Sequence, residues 1–311
     1  MRTYKTLIMG LLSLSFLSTS CQKAVSLYDK SVYKTYAKNG FDEKVLNANG
    51  HTVHYFDNQL DNKPTLLLVH GFGGDGKVTW ERQIKTFRKD FRIVVPDLLW
   101  FGESHSAHQA TLETQVDAIK TLIYELQLKE VHLVGISYGG FVTLAFASAY
   151  EKSLHSLTII ASPGNVIDDE EVRDFCIRNN VSDINEIFVP KDAEAVKRLF
   201  HISMVKPPPF PMVVYQAIFE KYFSRYPNEQ EKLLDNLPTN KDKVAEQLTI
   251  PTMILWGEKD QIFDIKNAYK LQDKLNSQLV VHPTTGHTYP GEDPKHFNTE
   301  LLKFIQSIEP N

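Results

Sequence analysis

The stretch Val131-His132-Leu133-Val134-Gly135-Ile136-Ser137-Tyr138-Gly139-Gly140 decides the fold, because an apolar run ends abruptly at a serine bracketed by glycines. It reads as a strand, a tight elbow and the first turn of a helix. A G-x-S-x-G elbow folds so sharply that a Cβ two places either side of the serine would strike the neighbouring backbone, and Gly135 and Gly139 supply the missing bulk. Such a turn lifts the Ser137 hydroxyl above the carboxyl edge of a sheet and leaves the Tyr138 N–H aimed where an oxyanion would form.

Outward from the elbow the chain alternates strands and helices. His51 to Phe56 has strand alternation, and Thr65–Val69, Phe91–Val95, Val131–Ile136, Leu157–Ile160, Thr252–Trp256 and Gln278–Val281 are short continuous apolar runs. Runs of this kind separated by helix-length segments predict a mostly parallel sheet covered on both faces. The segments between them carry the helical period: Trp80, Ile84 and Phe87; Leu112, Val116, Ile119 and Ile123; Phe297, Leu301, Phe304 and Ile308. Pro294, after Glu292 and Asp293, fits the first turn of the last helix.

One segment breaks the alternation. Residues 165–249 carry no strand pattern but many aromatics and prolines, including Phe175, Phe188, Phe200, Pro207-Pro208-Pro209-Phe210-Pro211, Tyr215, Phe219 and Tyr222. A structureless loop of that length does not suit a compact domain, so the segment reads as a helical cap. The alternating strand-and-helix core then occupies 43–164 and 250–311.

A serine hydroxyl is a poor nucleophile without a base, so the elbow predicts a downstream acid and histidine, in that order for this type of sheet. Asp260 follows the run ending at Trp256, in Gly257-Glu258-Lys259-Asp260; His287 follows the run ending at Val281, in Thr284-Thr285-Gly286-His287-Thr288. Glu258, Asp264 and Asp168 are alternative acids, and His282 and His296 alternative histidines. His105 and His108 form an H-x-x-H pair with no carboxylate or cysteine cluster beside it, so no metal is expected. The second oxyanion donor is expected from His70-Gly71-Phe72-Gly73-Gly74, with the Phe72 N–H nominated. That loop lacks the Lys-Ser/Thr ending of a phosphate cradle.

The ends and the composition set the cellular context. Arg2 and Lys5 precede an apolar run from Leu7 to Leu17, and Ser18-Thr19-Ser20 leads into Cys21, the pattern of a secretory signal over residues 1–21. The run is well short of the ~20 residues that span a bilayer. A cysteine directly after the cleavage region is similar to the bacterial lipoprotein signal, in which that cysteine is lipidated, although Leu17 stands one place earlier than that signal prefers. Ordinary cleavage after Ser20 is the alternative; either way the mature chain is exported, and the lipoprotein reading puts it at a membrane. Residues 22–42 read as a tether and lead-in, with Tyr28, Tyr33 and Tyr36 on one face of a short helix that docks onto the domain. Cys176, the one other cysteine, is expected to be a packing residue. With 34 basic against 38 acidic residues and no basic stripe, nucleic acid is not an expected partner.

Taken together, His70-Gly71-Phe72-Gly73-Gly74, Pro96-Asp97-Leu98-Leu99-Trp100-Phe101-Gly102-Glu103-Ser104, Gly135-Ile136-Ser137-Tyr138-Gly139-Gly140, Gly257-Glu258-Lys259-Asp260 and Gly286-His287 resemble the α/β-hydrolase superfamily over about residues 45 to 308. The resemblance implies an α/β fold with a cap inserted after the sixth strand, nucleophile Ser137, acid Asp260, base His287, oxyanion N–H groups from Phe72 and Tyr138, and no cofactor. The lidded arrangement looks like that of bacterial lipases and carboxylesterases acting on small-molecule esters. A C–C bond hydrolase, a small-substrate amidase or peptidase, a cofactor-free haloperoxidase-like enzyme and a non-catalytic ligand-binding lipoprotein are alternatives on the same fold. Serine at the elbow, not aspartate, argues against the epoxide hydrolase and haloalkane dehalogenase branches. Trp100 departs from the glycine common in that loop, and either narrows the pocket mouth or packs.

Overall fold

The computed structural model describes residues 23, 25–237 and 247–308. A helix over 25–38 (α1) leads into β1 (Asp42–Ala48), β2 (His51–Asp57), β3 (Thr65–Val69), α2 (Gly76–Phe87), β4 (Arg92–Pro96), the two-residue β5 (His105–Ser106) and α3 (Leu112–Glu125). Next come β6 (Val131–Ile136), α4 (Tyr138–Tyr150) and β7 (Ser156–Ile160). Helices α5 (Asp169–Arg178), α6 (Asn185–Phe188), α7 (Ala193–Ser203), α8 (Met212–Tyr222) and α9 (Pro227–Asp235) fill the expected cap. The chain then returns through β8 (Thr252–Gly257), α10 (Lys266–Leu275), β9 (Gln278–His282), α11 (Tyr289–Glu292) and α12 (Pro294–Ile308).

The strands form one sheet in the order β1-β2-β4-β3-β6-β7-β8-β9, with β5 pairing β2. β2 is antiparallel to β1 and β4, and every pairing from β4 through β3, β6, β7 and β8 to β9 is parallel. If the two-residue β5 is set aside, the cap follows the sixth strand. The apolar runs are continuous because both faces are covered. Leu67 and Val69 turn to a core shared with α3, α4 and α10, while Leu66 and Leu68 turn to one shared with α1, α2 and α12. Trp80, Ile84 and Phe87 are essentially solvent-free, as the helical period requires; each such side chain contributes about 1.5–3 kcal/mol by leaving water.

Asp75 and Thr111 cap α2 and α3 by accepting the Val78 and Thr114 N–H groups. Asp293 accepts the His296 N–H at 3.0 Å, so Pro294 does open the last helix. Among the tyrosines of α1, Tyr36 is fully buried and donates its hydroxyl to the Lys77 carbonyl at 3.1 Å, whereas Tyr28 lies half exposed. Cys176 is buried in the apolar cluster of the cap. Sequence reading missed β1 as a strand. Its segment, Asp-Glu-Lys-Val-Leu-Asn-Ala, is half charged or polar and mostly exposed, and it is held at the sheet edge by backbone pairing to β2.

Candidate active site

β6 ends at Ile136 and α4 begins at Tyr138, leaving Ser137 alone in the turn at φ 54° and ψ −121°. A residue with a side chain pays about 1–3 kcal/mol to sit there. The surroundings hold it: the Ser137 N–H donates to the Ile160 carbonyl of β7 at 2.9 Å, and its carbonyl accepts the Gly140 N–H at 2.8 Å. The flanking glycines are a steric requirement. A Cβ on Gly135 would lie 2.4 Å from the Gly139 carbonyl oxygen, and one on Gly139 would lie 2.3 Å from the His70 carbonyl oxygen.

The loop 70–74 closes over the elbow. Gly71 approaches so closely that a Cβ there would meet Ser137 Cβ at 2.8 Å. Phe72 packs edge-on against Phe101 and Tyr138, with ring centroids 4.9 and 5.0 Å apart. His70, fully buried, donates Nδ1–H to the Gly71 carbonyl at 2.7 Å and accepts the Leu98 N–H on Nε2 at 2.9 Å. Those partners fix its tautomer, and burial lowers its pKa to about 4, so the ring is neutral at ordinary pH. Because the C=O and N–H of a trans peptide point in opposite directions, the grip on the Gly71 oxygen turns the Phe72 N–H away from His70.

Asp260 and His287 meet at the same edge of the sheet. His287 Nδ1 lies 2.9 Å from Asp260 Oδ2, and both side chains are almost solvent-free. Asp260 Oδ1 also accepts the Ile262 and Phe263 N–H groups at 2.8 and 3.1 Å. A carboxylate can only accept, so Nδ1 of His287 carries a hydrogen toward Asp260, and in the neutral ring Nε2 is the nitrogen left with the lone pair. The two loops are zipped together: Glu258 N–H donates to the His282 carbonyl, and Lys259 N–H to the Thr285 carbonyl. Ser137 Oγ makes no hydrogen bond to His287 in this structure. Phe263 packs its ring on His287 at 5.6 Å and meets the Phe141 ring edge-on at 6.3 Å.

Ser137 opens into a cavity of about 570 Å³, within the usual range for small-molecule sites. Phe72, Tyr138, Phe141, Phe188, Leu234 and Phe263 give it an apolar wall, while the exposed Arg173, Asp174 and Arg178 of α5 stand at the rim. The cap thus supplies most of the lining, which local sequence pattern could not show. Trp100 is not part of it: the side chain is buried in the core, and the residue takes the glycine-like φ of 64°.

The other candidates have separate partners. Asp168 caps α5 through the Glu171 N–H, and exposed Asp264 accepts the Lys266 N–H. Glu258 pairs with its neighbour Lys259 at 3.5 Å. His282 faces Asp293, leans on the Tyr289 ring and meets His296 edge-on. His105 and His108 turn to different carbonyls, those of Glu103 and Asn49, and do not converge. Cys21 lies outside the described residues.

Comparison with known proteins agrees with this architecture. The family model described as the alpha/beta hydrolase fold matches residues 64–294. Lipase 1 of Psychrobacter immobilis is 28% identical over 296 residues, covering 89% of this chain and 89% of that protein. Monoacylglycerol lipase ABHD6 of Mus musculus is 24% identical over 278 residues, covering 81% of this chain and 79% of its own length. Among solved structures, that of a membrane phospholipase A superposes with a TM-score of 0.78 at 20% identity over 99% of both chains. With the matched segment spanning the parallel strands, the elbow, the cap and both strand-end loops, the chain belongs to the α/β-hydrolase fold family and is an ester-acting hydrolase of the lipase and esterase kind.

Proposed function

We propose that Ser137, Asp260 and His287 form a catalytic triad that hydrolyses carboxylic esters through an acyl-enzyme. The observation that carries this reading is the buried Asp260–His287 hydrogen bond, which orients through Nδ1 a histidine at the edge of the sheet that also presents a strained serine. His287 Nε2 takes the Ser137 proton as Oγ bonds to the ester carbon, and the Ser137–His287 contact tightens as substrate binds. The oxyanion accepts the Phe72 and Tyr138 N–H groups. Collapse of the tetrahedral species breaks the bond to the alcohol, which leaves with the proton from His287. Water then repeats the sequence on the acyl-enzyme and returns free acid and Ser137.

The substrate class follows from the cavity and the relatives. An apolar wall beside Ser137 suits an acyl chain, and the charged rim suits a polar alcohol portion. Relatives named as a monoacylglycerol lipase and a phospholipase A support an acylglycerol or phospholipid ester. Export and lipidation at Cys21 would bring the enzyme to a membrane where such esters reside. No helix among the described residues is long and apolar enough to cross one.

The test uses the chain from residue 22 onward, a fluorophosphonate probe and p-nitrophenyl esters of graded chain length. Wild type labels and hydrolyses; Ser137→Ala loses both. A wild type that neither labels nor cleaves any ester defeats the proposal. Palmitate labelling of the full chain with and without Cys21→Ala decides the anchor, since absence of lipid on the wild type refutes it.

A further inference from the structure

Glu292, at the end of α11, lies outside every motif that carries the chemistry, yet its side chain reaches the catalytic loop. One carboxylate oxygen, Oε1, accepts the Gly286 N–H at 3.0 Å and the Thr288 hydroxyl at 3.2 Å, the residues on either side of His287. The other, Oε2, accepts the Val205 N–H from the cap loop between α7 and α8 at 3.0 Å. The cap also meets this loop directly, through the Thr288 N–H and the Ser203 carbonyl at 3.2 Å. A glycine before the histidine leaves the backbone free to swing, and a Cβ on Gly286 would stand 3.3 Å from Glu292 Oε1.

We propose that Glu292 is a positioning residue for His287: its carboxylate clamps the two residues flanking the histidine and ties that clamp to the cap. The proposal rests on the catalytic role of His287 proposed above. Asp260 fixes one edge of the imidazole ring but not the path of its backbone. Glu292 fixes that path, and so sets the position from which Nε2 closes on Ser137 Oγ when substrate binds. Hydrogen bonds to a charged acceptor are the stronger kind, and three of them converge on this one group. A shift of about 1 Å in a reacting group costs on the order of a hundredfold in rate.

The experiment compares Glu292→Ala, Glu292→Gln and Ser137→Ala with wild type, measuring kcat and KM on a short-chain p-nitrophenyl ester, with thermal melts to confirm folding. Glutamine keeps a carbonyl oxygen, and the side with two donors, Gly286 and Thr288, selects its orientation. The expected result is a fall in kcat of about ten- to a hundredfold for alanine with KM little changed, and recovery of most of that loss by glutamine. Unchanged kcat in Glu292→Ala overturns the inference, as does a glutamine variant as impaired as alanine, since the clamp would then not be what matters. If wild type itself is inactive, the triad reading fails instead, so the two failures are distinguishable.

Discussion

Replacing Asp260 by asparagine tests the proposed triad at its most constrained atom. The substitution keeps the volume and the loop, because Oδ1 of the new amide can go on accepting the Ile262 and Phe263 N–H groups at 2.8 and 3.1 Å. Flipping the amide would aim its NH2 at those two buried donors, and each unsatisfied group costs about 1–3 kcal/mol, so the orientation is set by roughly 2–6 kcal/mol. The amide NH2 then faces His287 Nδ1, which must accept. The imidazole proton moves to Nε2, where it blocks removal of the Ser137 proton, and the imidazolium loses its counter-charge. In the serine protease case the same change costs about 10⁴-fold in kcat, equivalent to roughly 5.5 kcal/mol of barrier. The same order is expected here, with KM and the melting temperature close to wild type. The assay is kcat on a p-nitrophenyl ester, normalised to folded protein. Asp260→Asn retaining more than a tenth of wild-type kcat, or Asp264→Asn or Asp168→Asn losing as much, would refute the reasoning, because the acid would then lie elsewhere.

Two further outcomes follow from residues away from the serine. Burial, reinforced by the neighbouring Asp75 charge, pushes the Asp97 carboxyl up to about 8, although Lys77 and the Gly76 N–H oppose the shift. Between the unfolded value near 4 and about 8, the folded state holds a proton that the unfolded chain has released, so this group makes stability fall as pH rises through that window and level off above it. The slope is at most about 1.4 kcal/mol per pH unit, and less because Asp97 keeps some solvent contact. Asp97→Asn should flatten it, gaining on wild type between pH 5 and 8.5 in urea melts; parallel curves would contradict the buried, protonated acid. Trp100→Gly relieves a left-handed backbone at φ 64°, worth about 1 kcal/mol, but deletes a core aromatic worth about 3–5 kcal/mol. Burial wins by roughly 2–4 kcal/mol, and a glycine variant as stable as wild type would show that backbone strain outweighs the packing of the ring.

What local chemistry determines was legible in the chain. The apolar runs became strands because both faces of the sheet are covered, and the elbow was readable because its glycines answer a contact between residues four apart, Gly135 and Gly139. Asp260 and His287 could be nominated because parallel strands deliver successive loops to one edge, where the structure brings them together. Other features depend on partners distant in sequence. Glu292 bonds to Val205 across 87 positions, and nothing near either residue signals it. Trp100 departs from the glycine common at its position, and the structure shows tryptophan adopting the φ that glycine would favour while its ring fills the core.

Residues 22–42 mark the boundary of sequence reading most clearly, because a tether and a structural helix have the same composition at that length. The segment over 25–38 is built into the molecule at three levels. Val32 and Tyr36 are fully buried against the core face that carries α2 and α12. Val25 joins the apolar cluster of the cap. Between them Asp29 faces Lys77 of α2 at 3.3 Å and Lys221 of α8 at 2.9 Å, so one carboxylate spans core and cap. Exposed ion pairs contribute little, but Asp29 and Lys77 are nearly out of solvent, and each has a second partner, Lys221 for Asp29 and Asp75 for Lys77, so the charges form a network. Lys77 also holds Asp75, and the two charges act in opposite directions on the Asp97 carboxyl, Asp75 raising its pKa and Lys77 lowering it. Helix α1 therefore fastens the cap to the core, through the Asp29 carboxylate and the packing of Val25 among the cap residues.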